Sequence, residues 1–129
     1  MNDRGAGEVR SSLVLAEHFH GYPGIAHGGI VAALLDEAMV RSLLLEGAFE
    51  DLMVTARMEV SYRHATPTAV PVTVVGRLVK RGSSRATAQA EIRLADGTVT
   101  AEAEGLLTRP PPEVKAAWAE ERPFWSVDE

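Results

Sequence analysis

Cysteine is missing from this chain altogether. Disulfides, thiolate catalysis and cysteine-based metal sites are therefore excluded. Long apolar runs are missing too: uninterrupted ones reach only Ile30–Leu35, far short of a membrane span. The start, Met1 to Arg10, lacks the apolar stretch of a secretory signal, so a cytoplasmic location is expected. Positive charge is in deficit, with a net charge of −5, which speaks against nucleic acid or an anionic membrane as the main partner. No internal repeat is present, and low complexity is confined to Pro110-Pro111-Pro112.

What is present is the composition of an ordinary soluble globule, 46% hydrophobic and 24% charged over 129 residues, a length that suits one domain. Residues 1–10 are polar and read as a flexible lead-in. Residues 11–109 form the domain, and residues 110–129 a Pro-rich linker with a short helical tail. Within the domain, Ser12–Phe19 suits a first strand that leads into the loop Gly21-Tyr22-Pro23-Gly24. A helix is expected from Gly28 to Glu46, with Gly47 as its C′ residue. Its first half is apolar on every side, the mark of a central helix.

Four strands follow. Val54, Ala56, Met58, Val60 and Tyr62 alternate with polar residues at a period of two, and Val70–Lys80 is rich in β-branched residues. Arg81-Gly82-Ser83-Ser84 suits a hairpin. Ala86, Ala88, Ala90, Ile92 and Leu94 form the next alternation. Asp96-Gly97 signals a two-residue hairpin, and Val99 to Leu107 completes the set. The many alanines on one face imply that the helix lies close against the sheet. The fold class is α+β, one long central helix wrapped by a curved antiparallel sheet. Such an arrangement leaves helix surface for a partner subunit.

The densest chemical signal is His27-Gly28-Gly29 with Asp36 inside the apolar helix that follows. The first N–H groups of a helix lack internal partners and can donate elsewhere. An acid two turns along an apolar helix is costly unless it is paired or functional. Arg41 and Arg57 are the candidate structural partners for it, and neighbouring Glu37 is the alternative base, though it points about 100° away around the helix. His18 and His20 sit two apart, but no third ligand accompanies them and no metal site is expected.

Gly21-Tyr22-Pro23-Gly24-Ile25-Ala26-His27-Gly28-Gly29 followed by Asp36, together with Val54-Thr55-Ala56-Arg57-Met58-Glu59-Val60-Ser61-Tyr62, resembles the hotdog-fold acyl-CoA thioesterases, most closely the phenylacetic-acid-type (PaaI-like) branch. The resemblance covers about Glu17 to Arg109. It implies an acyl-CoA substrate cleaved by water to a carboxylic acid and coenzyme A, with no cofactor. It also implies that the Gly28 N–H meets the thioester carbonyl, that Asp36 attacks the thioester or activates water, and that Thr55 helps hold that water. His27 would mainly tie down the turn, and His27 and Gly29 would border the bound substrate. The sequence departs from the family at Gly21, where several members carry an asparagine; His20 is the substitute within reach. Met39, Met58 and Tyr62 are candidate pocket walls, and Arg63, Lys80 and Arg81 are candidates for the coenzyme A phosphates.

Gly28 and Asp36 lie eight residues apart, about 12 Å along one helix. Reacting groups must come within about 3 Å of the scissile atom. One helix cannot supply both to a single carbonyl, whereas two antiparallel copies across a dyad can. The expectation is a homodimer with shared sites, with a homotetramer left open. Two other functions fit the same fold: a non-enzymatic acyl-CoA binding or sensing protein, and an acyl-thioester dehydratase. The dehydratase needs a further helical acid where this chain has Ala32.

Overall fold

The computed structural model describes residues 8–44 and 53–110. Seven strands and one α-helix are found there, with a short 3-10 turn at Glu17–Phe19. Strand β1 (Glu8–Val14) is followed by the small strands β2 (His20–Tyr22) and β3 (Ile25–Ala26), then helix α1 (Gly28–Leu44). Strands β4 (Val54–Tyr62), β5 (Pro71–Arg81), β6 (Arg85–Arg93) and β7 (Val99–Thr108) come after it. The main sheet has the order β1-β5-β6-β7-β4 and is antiparallel throughout; β2 and β3 form a separate ribbon. Among the described residues no helix is long and apolar enough to cross a membrane.

The helix is apolar on most sides of its first half, and the residues it buries fall at helical spacing. Val31, Leu35, Ala38, Met39, Ser42 and Leu43 are buried along one stripe, the pattern of a face packed on a sheet. Opposite them the inner sheet face carries Ala86, Ala88, Ala90, Ala101 and Ala103, all buried. Small residues let helix and sheet approach closely, and two glycines complete the fit. A Cβ on Gly76 would lie 2.2 Å from the Ala38 carbonyl oxygen, and one on Gly105 would meet the end of Met39 at 2.8 Å. Burial of a side chain such as Leu35 or Met39, both 0% exposed, contributes about 1.5–3 kcal/mol.

Three local expectations are corrected. The first strand runs Glu8–Val14, not Ser12–Phe19; residues 8–10, expected in the lead-in, pair with β5. As an edge strand it needs only a sparse apolar face, and charge on its outer face is satisfied by Glu8 bonding both Arg77 and Arg10. The Arg77 hydrogen bond, reinforced by Arg10, holds the Glu8 carboxyl below its ordinary range. Next, the β6–β7 turn is longer than two residues. Leu94 N–H donates to Thr98 O, Gly97 N–H to Leu94 O, and Gly97 has φ 93°, the three-residue loop with a glycine bulge. Finally, the period of two in β4 breaks between Thr55 and Arg57. The expected helix end at residues 45–47, and the tail beyond residue 110, lie outside the described residues.

Candidate active site

The loop ahead of α1 is held from outside. Ala26 N–H donates to Thr66 O at 2.7 Å, Thr68 N–H donates to Gly24 O at 3.1 Å, and Ile25 bridges to Pro67. Gly24, at φ 79°, makes the turn that a side chain would strain. His27 then caps the helix in two ways. Its carbonyl accepts from the Ile30 and Val31 N–H groups at 3.0 and 3.1 Å, and its ring Nδ1 accepts from the Gly29 N–H at 2.9 Å. An accepting Nδ1 carries no proton, so the neutral ring carries it on Nε2. Of the amides in this first turn, the Gly28 N–H has no partner among the described residues. It points out of the positive end of α1, where anions are favoured.

An open cavity of about 530 Å³ lies at this turn. Its walls include His27, Gly28, Tyr22, Tyr62, Arg63 and His64. Tyr62, at the end of β4 and 54% exposed, donates its hydroxyl to the Gly28 carbonyl at 2.8 Å. A larger cavity of about 610 Å³ is lined on the outer sheet face by Arg57, Thr87, Gln89 and Glu104. It lacks the unpartnered helix amide that the smaller cavity has at Gly28, so the smaller cavity is the better candidate on chemistry; Asp36 lines neither within one chain.

Asp36 sits two turns further along α1 and is half-buried. The Thr55 hydroxyl donates to its Oδ1 at 2.5 Å. This contact depends on the β4 irregularity. Thr55 pairs with Leu107 while Arg57 pairs with Leu106, and Met58 then pairs with Gly105. The extra residue, Ala56, puts Thr55 on the same inward face as Met58, which a strict alternation would forbid. Oδ2 of Asp36 accepts no hydrogen bond among the described residues. Glu37 pairs instead with Arg41 at 2.8 Å, one turn on, and Arg57 is exposed.

The remaining expected residues separate into two regions. Gly29 and Arg63 stand with His27 and Gly28 around the turn, and Met58 lies inward on β4 opposite Gly105. Arg63 is bonded to Glu102 at 2.8 Å. Lys80 and Arg81 lie at the end of β5, separated from β4 by β6 and β7. His18 and His20 fall in the 3-10 turn and in β2, not on one strand face. Sequence reasoning took Tyr62 for a pocket wall; its hydroxyl contact with Gly28 spans 34 residues and left no local signal.

The thioesterase superfamily model matches residues 23–101 of the chain. Among solved structures, a thioesterase superfamily protein is 33% identical with a TM-score of 0.73, the match covering 79% of this chain and 49% of that one. The chain thus spans about half the length of that relative. The PaaI protein of the Escherichia coli phenylacetic acid degradation operon is 15% identical at a TM-score of 0.73, covering 81% of this chain and 74% of that one. A Streptococcus mutans protein bound to acetyl-CoA is 19% identical at a TM-score of 0.72, covering 81% and 85%. Both of these are likenesses of fold, and they bear out the α+β hotdog architecture. No curated protein sequence matches.

Proposed function

Since this chain belongs to the thioesterase superfamily, we propose that it hydrolyses an acyl-CoA thioester, using Asp36 from one subunit and the Gly28 amide from another. The observation that carries this reading is the Thr55–Asp36 hydrogen bond at 2.5 Å. It fixes one carboxylate oxygen and leaves the other open toward a reactant. The unpartnered Gly28 N–H supplies the complementary element, a donor for the carbonyl oxygen as negative charge develops on it. The helix dipole adds to that stabilisation.

The reaction needs no redox step. Asp36 Oδ2 either takes a proton from water as its oxygen attacks the thioester carbon, or attacks that carbon itself to give an anhydride that water then cleaves. In each route the carbonyl oxygen gains charge beside Gly28, the C–S bond breaks, and coenzyme A leaves as a thiolate that takes up a proton. Because α1 is continuous from Gly28 to Leu44, the two groups stay about 12 Å apart within one chain. Strand β4, which carries Thr55, ends the sheet with one edge unpaired among the described residues. An open edge is a template for another strand, and two copies joined there would bring opposite helices together.

The substrate class draws support from the acetyl-CoA bound to the Streptococcus mutans protein. Arg63, at the cavity, is assigned to the phosphates. The phenylacetic-type branch is the finer assignment, and it makes phenylacetyl-CoA the first aromatic substrate to try. The test is thiol release from short, branched, long and aromatic acyl-CoAs by the intact protein and its Asp36→Ala variant. Loss of a catalytic carboxylate is expected to lower kcat by about 10²–10⁴-fold. Hydrolysis at the unaltered rate by Asp36→Ala would overturn the assignment.

A further inference from the structure

Two consecutive glycines open α1, and glycine has little backbone preference of its own. A donor amide useful in catalysis must nevertheless lie 2.7–3.1 Å from where the oxyanion will form. The orientation of this turn has to be imposed by other groups. Two do so, on opposite ends of one peptide unit. The Gly28–Gly29 peptide offers its N–H to His27 Nδ1 at 2.9 Å and its carbonyl to the Tyr62 hydroxyl at 2.8 Å.

We infer that Tyr62 is a positioning residue for the Gly28 amide: its hydroxyl holds the first helical peptide so that the adjacent N–H keeps its aim at the substrate carbonyl. This rests on the proposed thioesterase reading. His27 is local to the turn and moves with it, whereas Tyr62 comes from β4, 34 residues away, and references the turn to the sheet. The same strand carries Thr55, which holds Asp36. One strand therefore holds both half-sites that a chain contributes. The phenol ring is also close enough to Gly28 for a Cβ there to touch the hydroxyl at 3.5 Å. A pocket wall alone would need only the ring; positioning needs the oxygen.

Tyr62→Phe separates these roles because it keeps the ring and removes the oxygen. Loss of one hydrogen bond that holds a catalytic donor is expected to lower kcat about five- to tenfold, with KM within about twofold of the unaltered protein. Tyr62→Leu should lose kcat to a similar degree and raise KM through the missing wall. In a spectrum of protein labelled with ¹⁵N-glycine, Tyr62→Phe should shift the Gly29 amide, whose peptide carbonyl has lost its donor. An unchanged kcat, or a raised KM alone, in folded Tyr62→Phe would overturn the inference. So would an unmoved Gly29 resonance, which stays readable even where no acyl-CoA is turned over. Absence of turnover by the unaltered protein would instead remove the thioesterase reading.

Discussion

At the scale of single residues, Asp36 shows how one hydroxyl decides what a carboxylate can do. An acid on an apolar helix usually needs a cation, yet Arg41 engages Glu37 and Asp36 is met by Thr55. Thr55 has one proton to give and gives it to Oδ1, so its lone pairs remain to accept from water. Thr55→Val keeps the shape and removes the donor. It is expected to lower kcat about tenfold, while Thr55→Ser should restore most of the rate. Steady-state thiol release on the best acyl-CoA checks this; equal activity of the Val and unaltered proteins would show that the hydrogen bond is idle.

At the scale of elements, the contact between α1 and the sheet is the least forgiving part of the fold. Gly76 lies beneath Ala38, and an added Cβ would sit 2.2 Å from a backbone oxygen that cannot turn aside. A Cβ on Gly105 would crowd the Met39 thioether, 2.8 Å from its methyl, and meet the Arg57 carbonyl oxygen only at an ordinary 3.5 Å; the thioether is the end of a flexible side chain. Gly76→Ala is therefore expected to cost at least the upper part of the usual overpacking range of about 1–3 kcal/mol, and Gly105→Ala clearly less. Urea denaturation of the two variants would contradict this by giving the reverse order.

The β1–β5 pairing makes an electrostatic prediction at the same scale. The folded pKa of Glu8 is lowered from 4.5 by Arg77 and Arg10. Its ion pairs therefore stabilise the fold above that pH and are lost as pH falls through the lower folded value. The pairs are partly exposed, with Glu8 at 21%, so their contribution is of the order of 1 kcal/mol or less. The Tm difference between the unaltered protein and Glu8→Gln should be present at pH 7 and close as acidification carries the solution through the lowered folded pKa of Glu8. A difference that persists undiminished at low pH would contradict it.

These elements also show what could be read in advance. Strands β6 and β7 were legible because each buries a regular face, so period and burial coincide; α1 was legible from an apolar run opened by two glycines, and β5 from its β-branched residues. Strand β1 was misplaced because an edge strand with a charged outer face, Glu8 and Arg10 among it, writes little apolar alternation. The separation of Gly28 and Asp36 was legible from helix arithmetic, whereas the roles proposed for them come from the family resemblance. The alignment of Thr55 with Met58 was not, because a bulge changes face without changing composition. Tyr62 was visible as an aromatic, but its bond to Gly28 is made only by the packing of β4 against the helix start.

At the scale of the whole molecule, the separation of Gly28 and Asp36 by about 12 Å along α1 means that the proposed reaction requires an assembly. In the proposed isologous dimer each chain gives Gly28 to one site and Asp36 to the other, both shared with the same partner, which can be tested by complementation. Gly28→Pro removes the N–H at the first helical position, where proline is well tolerated because no helical hydrogen bond is lost. That variant retains Asp36; Asp36→Ala retains Gly28. Each should be nearly inactive alone. Unfolded and refolded together in equal amounts, half the dimers contain one of each, and every such dimer has one intact site of two. Recovery of about a quarter of the unaltered activity is therefore expected for an isologous dimer with shared sites. Thiol release by the refolded mixture reads it directly. If both groups served the same thioester from within one chain, no mixing could bring them together, and the mixture would stay as inactive as its parts.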